Sequence, residues 1–289
     1  MATTVTLTGT GVPHPSPGRA GPGTLVRVGK ISLQFDAGRG TVLRLAEAGI
    51  QQARLTALFV THVHSDHLVD LADVAMTRWI LQQVSSTGPL PIIVPRGAPE
   101  RFVRRMLDPF DEDIAVRMAH VQPEPPEVLV HAFDVPAEIT TVWASDDGSV
   151  SVDAVGVHHE PVADAVAFRV RSTDGTVVIS GDTRVCREVE QLSEGADVLV
   201  HEACRATALH DAVAGTRFET IFSYHADTVA LGGLAQRAGV RHLVLTHLIP
   251  APSTADDEAA FADDVRQGGF TGPLTVGRDL MTFEVARPA

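Results

Sequence analysis

The stretch Thr61–His67 reads THVHSDH, with histidines at 62, 64 and 67 and an aspartate at 66. His62 and His64 are two residues apart, so in an extended segment both project to one side and can clasp one ion. Ser65 follows, and a turn there would swing Asp66 and His67 toward a second ion. Imidazole with carboxylate suits Zn2+, and less selectively Mn2+ or Fe. The whole chain holds 13 histidines in 289 residues, so three within this short run are a cluster rather than a chance spacing.

Around the run the chain alternates short apolar segments with breakers. Strand signals precede it at 5–8, 25–28, 31–35 and 58–60, and the last delivers the histidine loop at its C-terminal end. A Gly- and Pro-rich loop fills 9–23, Gly29-Lys30 reads as a hairpin connection, and a helix over 41–48 stops at Gly49. Downstream come a helix over 71–84 carrying Met76, Trp79 and Ile80, a strand at 92–94 and a helix over 100–107. Residues 108–127 are acidic and proline-bearing and show no readable pattern.

Strand signals return at 128–133, 139–143, 150–157, 165–170 and 177–180, with Asp174-Gly175 as a two-residue hairpin signal. The last third carries strands at 198–200, 243–246 and 280–285 and helices at 228–238 and 257–265. Two β-rich segments, each followed by helices, predict an α+β four-layer αββα sandwich forming one domain over 1–289. Within it, 71–127 is expected to be a partly helical region covering the pocket.

Four metal-loop residues cannot complete two coordination spheres. Further candidates stand at predicted strand ends: His158 and His159 after 150–157, Asp182 after 177–180 and His247 after 243–246. C-terminal strand ends converge on one edge of a β core, where sites commonly form. Asp36 is expected to be a buried carboxylate bonding backbone or a ligand imidazole. His225, in SYHADT ahead of a helix, is a candidate proton donor, and His201, with Glu202 in VHEA, a candidate pocket residue.

Composition limits the partners. Lys and Arg total 23 against 36 Asp and Glu, a formal charge of −13 that disfavours a phosphate backbone. Arg96, Arg101, Arg104 and Arg105 are the nearest thing to a basic patch, and they read as a solvated helix face. The two cysteines, Cys186 and Cys204, have no ligand spacing. No leader pattern and no long apolar run appear, so a soluble cytoplasmic protein is expected.

These motifs together resemble the metallo-β-lactamase fold superfamily: HVHSDH at 62–67, a histidine at 159, SGDT at 180–183 and LTHLIP at 245–250. TLTGTGVP at 6–13 and FDAGRGT at 35–41, similar to an FDCGEGT motif with Ala37 and Arg39 substituted, resemble the branch shared by ribonuclease Z and arylsulfatase-like proteins. The resemblance implies one ion on His62, His64 and His159, a second on Asp66, His67 and His247, and Asp182 between them. The HEPV segment at 159–162 favours His159 over its neighbour His158. It also implies a hydrolase with two Zn2+, or Mn2+ or Fe, in which Asp66 handles the attacking hydroxide and His225 the leaving group.

The expected substrate is a small-molecule sulfate ester or phosphodiester, including a cyclic nucleotide, with Trp79 near an apolar pocket wall. Alternatives are a lactone or cyclic amide hydrolase, a ribonuclease Z-type endonuclease acting on tRNA 3′ ends, and a di-iron redox protein or non-catalytic binding protein. Nucleic acid is not expected as a partner, because of the net charge, the short 169–176 connection and the absence of Ser-Arg after LTHLIP. A homodimer burying 71–84 is a further expectation.

Overall fold

The computed structural model describes residues 3–82 and 88–285. In chain order its elements begin β1 (Thr3–Gly9), β2 (Gly23–Val28), β3 (Ile31–Phe35), α1 (Thr41–Glu47), β4 (Ala57–Phe59), α2 (Ser65–Leu68) and α3 (Leu71–Leu81). They continue β5 (Leu90–Pro95), α4 (Ala98–Arg105), α5 (Asp111–His120), β6 (Val128–Phe133), β7 (Thr140–Ala144) and β8 (Val150–Gly156). Then come β9 (Val166–Ser172), β10 (Thr176–Ile179), α6 (Arg187–Leu192), β11 (Val198–Cys204), α7 (Ala206–Val213) and α8 (Arg217–Phe222). The chain closes with α9 (Thr228–Arg237), β12 (Leu243–Ile249), α10 (Ala255–Gln267), β13 (Leu274–Val276) and β14 (Thr282–Val285).

Two seven-stranded mixed sheets result, ordered β14-β1-β2-β3-β4-β5-β6 and β13-β12-β11-β10-β9-β8-β7. In the first, β3 to β6 run parallel; in the second, β10 to β13 do. The first sheet takes its edge strand β14 from the far end of the chain, where Val5 registers with Phe283. Thus the two sheets are interleaved in sequence.

Between the sheets lies one apolar layer, with Leu7, Phe35 and Phe59 facing Val152, Phe168 and Val200. Phe35 and Phe59 stack at 4.8 Å, and Phe168 meets Phe59 edge-on at 5.5 Å. Each buried ring of this kind contributes roughly 1.5–3 kcal/mol of transfer free energy. Outside, Leu45, Leu71, Val74 and Val103 cover the first sheet, and Val189, Leu231, Leu234 and Phe261 the second. The αββα layering expected from the sequence is the observed one.

Several local expectations change. The hairpin after Val28 forms as read, with Gly29 at φ 59°, whereas the Asp174-Gly175 turn spans three residues because β9 runs on to Ser172. The region 108–127, unreadable in sequence, contains the 3-10 turn Asp108–Phe110 and helix α5. Helix α3 ends at Leu81, and residues 83 and 84 of the predicted helix lie outside the described residues. Its Leu71, Val74, Met76 and Trp79 are buried within this chain, and of the residues singled out on it only Ile80, 37% exposed, is open to a partner.

Candidate metal centre

Strand β4 ends at Phe59, and the chain then passes over the sheet edge as the 60–64 loop before turning into α2. Four other strands of like direction, β3, β8, β10 and β12, bring Asp36, His159, Asp182 and His247 to the same edge. Two glycines permit the approach. A Cβ on Gly38 would lie 2.3 Å from the Asp66 carbonyl oxygen, and one on Gly181, at φ 61°, would lie 2.8 Å from Thr61 Cβ.

Donor atoms of His62, His64, His159 and Asp182 lie within 4.8 Å of one another, and so do those of Asp66, His67 and His247. Asp182 stands between the groups, its oxygens 3.3 Å from Nε2 of His67 and 3.3 Å from Nε2 of His247. His247 Nε2 also lies 3.4 Å from Asp66. A third set, Asp182, His225 and His247, is equally close. The structure therefore brings together all seven of the strand-end and loop residues that the sequence singled out as ligands.

A single buried carboxylate fixes the tautomers on both sides. Asp36 accepts from the Thr61 amide and hydroxyl and from His67 Nδ1, each at 2.8 Å. With its only proton given to Asp36, the Thr61 oxygen accepts from His62 Nδ1 at 3.0 Å. The lone pairs of His62 and His67 are thereby left on Nε2, and both Nε2 atoms are buried without a hydrogen-bond partner. His159 is set the same way: Tyr224 offers a carbonyl at 3.3 Å, so Nδ1 donates, and Nε2 faces His64 Nδ1 at 3.1 Å.

Orphaned lone pairs of this kind carry a large desolvation cost unless a cation satisfies them. Asp66, Asp182 and His247 add further buried unpartnered atoms. Burial, with the neighbouring imidazoles adding, pushes His62 well below the ordinary histidine range and also lowers His64, keeping both neutral as ligands must be. At His67 burial opposes the charge, yet Asp182, Asp36 and Asp66 together hold its pKa well above the usual value. That negative field, and a histidine and aspartate donor set, fit two divalent cations.

His225 lies beside this cluster, its ring stacked on His247 at 5.5 Å and 5.1 Å from that of His159. Its Nδ1 is 2.9 Å from Glu202, a fully buried residue whose other oxygen accepts from the Thr183 amide at 2.7 Å. Burial works against the imidazolium, but the Glu202 charge and hydrogen bond, with Asp182 adding, raise His225 to about 9. Asp227 caps α9 by accepting from Ala230 at 3.1 Å, which fixes the turn that carries His225.

Three predicted residues are placed elsewhere. His158 points outward to Glu188, 3.3 Å away, and it is His159 that joins His62 and His64. His201 shares its face of β11 with Leu199 and Ala203, in the apolar layer under the outer helices, while Glu202 takes the side toward the metals. Trp79 is buried and donates its indole N–H to the Glu124 carbonyl at 2.8 Å, away from the centre. The sequence offers His201 and Glu202 as a pair without saying which faces the site, because β11 is buried on both faces and carries no alternation.

The β-lactamase superfamily domain model matches residues 34–248, most of the chain. The chain belongs to the β-lactamase superfamily. Among curated relatives of this superfamily member, a protein named Ribonuclease Z from Mycobacterium bovis (strain BCG / Pasteur 1173P2) is 38% identical over 283 residues, covering 97% of this chain and 98% of that protein. Another Ribonuclease Z, from Mycobacterium sp. (strain KMS), is 41% identical over 286 residues, covering 97% and 95% respectively.

Two solved structures share the metallo-β-lactamase fold. The metallo-β-lactamase fold protein YhfI from Bacillus subtilis has a TM-score of 0.73 at 21% identity, covering 98% of this chain and 100% of its own. Human tRNase Z, short form, has a TM-score of 0.70 at 23% identity, covering 98% and 100%. This superfamily member is a metal-dependent hydrolase. The relatives overturn the expectation of a small-molecule partner rather than nucleic acid, which rested on the net charge averaged over the whole surface, the short 169–176 connection and the residues after LTHLIP. No helix among the described residues is long and apolar enough to cross a membrane.

Proposed function

We propose that this chain is a ribonuclease Z-type endonuclease that cuts tRNA precursors at the 3′ side, using two divalent cations. The observation that carries the reading is the end-to-end identity, near 40%, with proteins named Ribonuclease Z. His62, His64 and His159 would hold one cation, Asp66, His67 and His247 the other, and Asp182 both. Bound there, two cations supply Lewis acidity at the scissile phosphate and make water acidic enough to attack near neutral pH.

The protein's own part is proton handling and orientation. Asp66 accepts a proton from the attacking water. Asp36, through His67 and through Thr61 to His62, keeps ligand lone pairs aimed inward. His225, charged against Glu202 and lying beside both metal groups, donates a proton to the departing ribose oxygen, a leaving group too basic to depart unaided. This division of labour is the specific support the geometry adds, since an aryl sulfate or phenolic ester needs no such donor.

The test is incubation of the metal-loaded protein with a tRNA precursor bearing a 3′ trailer. Release of the trailer as one fragment is expected. A precursor left whole by protein that carries two cations per chain counts against the reading.

A further inference from the structure

Beside the metal loop runs an open groove of about 740 Å³, lined by Ser65 and Val69 from the metal-loop side and by Arg101, Phe102, Arg105 and Phe110 opposite. Ser65 and Val69 bracket Asp66 and His67 in sequence, so the groove runs along the outer side of the short helix whose inner side carries those two residues. Its far wall is α4 and the turn after it. Pro99 and Val103 anchor α4 inward, which turns Arg101, Phe102, Arg104 and Arg105 outward.

The charge here opposes the chain's average. Residues 96–108 hold four arginines and two acidic residues in a protein of net charge −13. Arg104 pairs with Glu100 at 2.8 Å, and Arg105 meets Asp108 at 3.4 Å with both side chains largely exposed. Such an exposed pair is weak and readily exchanged for another anion. Arg101 has no ion pair among the described residues, although it stands one helical turn from both Arg104 and Arg105, where like charges repel.

Two phenylalanines share this wall, Phe102 with 37% and Phe110 with 39% of its surface exposed. Both rings stand open beside Arg101, which has no ion pair among the described residues, and Arg105, whose Asp108 partner is largely exposed. Guanidinium groups alternating with accessible rings are what a single nucleic-acid strand requires: cations for phosphates and flat faces for unstacked bases.

We infer that this groove holds the single-stranded part of the RNA substrate next to the scissile phosphate, with Arg101 and Arg105 on the backbone and Phe102 or Phe110 under a base. The inference deepens the ribonuclease reading and rests on it. The groove would then set which RNA is cut by positioning the strand, while the metal centre and His225 set how fast.

The test measures KM and kcat for the trailer-bearing tRNA precursor, across a salt series, for the wild-type holoenzyme and for Arg101→Ala and Phe110→Ala. Metal content and melting temperature are followed in parallel. Phe110→Ala is expected to raise KM on the order of tenfold with kcat held, the loss of one base stack. Arg101→Ala is expected to raise KM and to flatten the slope of log KM against log salt by roughly 0.7–1, one phosphate contact. A role in packing alone lowers the melting temperature and leaves the salt slope alone.

Efficient precursor cleavage with KM and salt slope unchanged in both variants overturns the groove and spares the ribonuclease reading. Precursor never cleaved, yet bound in a direct titration whose salt slope depends on Arg101, overturns that reading and keeps the groove as an RNA-binding surface. Neither binding nor cleavage by the wild type overturns both.

Discussion

Asp36 shows how much of the site one residue decides. Its carboxylate takes three hydrogen bonds, and two of them dictate which nitrogen of His62 and His67 is free for a cation. Asp36→Ala is expected to weaken metal binding by about 10–100-fold, the usual effect of losing a partner that orients a ligand. Titration against a competing chelator reads this directly, and unchanged affinity would show that the imidazoles are held by packing alone. Asp182→Ala removes the oxygens shared between the two groups, so elemental analysis should find fewer than two cations per chain and turnover should fall at least ~100-fold. Wild-type stoichiometry in that variant would refute the shared role. His225→Ala is expected to keep both metals and to slow cleavage of alkoxide-leaving substrates by about 10²–10⁴, with little effect on nitrophenyl leaving groups. Equal slowing of the two substrate kinds would count against a proton donor.

At the scale of elements, the site depends on loops that approach more closely than a side chain would allow. Gly38→Ala sets a Cβ against the Asp66 carbonyl, 2.3 Å away in the present backbone, so the FDAGRGT loop or α2 must shift. A cost of about 1–3 kcal/mol is expected, read as a melting temperature several degrees lower, together with reduced metal occupancy because α2 carries Asp66 and His67. A melting curve matching the wild type would mean that the loop yields freely.

The same scale explains which elements the sequence disclosed. Strands β4 and β10 are short apolar runs with His62 and Asp182 three residues beyond their ends, and the apolar start of β12 marks His247, although the strand itself runs on to Ile249. Helices α5, α7 and α8 have no buried residue, so no apolar stripe marks them, and they escaped sequence reading. Helix α5 stands instead on its acidic first turn and an Arg117–Asp113 pair at 2.8 Å. The choice between His201 and Glu202 is not legible for another reason: β11 is buried on both faces between parallel neighbours, and only the fold shows that Glu202, on the face of Val198 and Val200, turns toward the metals.

For the whole molecule, the αββα layering and the edge where strand ends converge could be read from apolar runs and breakers, while the substrate could not. Net charge is a sum over the surface, and −13 disfavoured RNA. What a substrate meets is the local field beside the centre, where Arg101, Arg104 and Arg105 line the groove. The short 169–176 connection says nothing of other surfaces. The metal chemistry is tied to residues adjacent in sequence or at strand ends; strand positioning is tied to exposed side chains whose neighbours only the fold supplies.

The most direct measurement of the central claim is single-turnover cleavage of a tRNA precursor by metal-loaded protein, with the cut mapped on both fragments and the reaction repeated after chelation and with Asp182→Ala. The account predicts one cut releasing the 3′ trailer, abolished by the chelator, restored by added divalent cation and nearly absent in the variant. Precursor left intact while the same preparation rapidly hydrolyses a small sulfate ester or lactone, or cleavage that survives the loss of both metals, would contradict it.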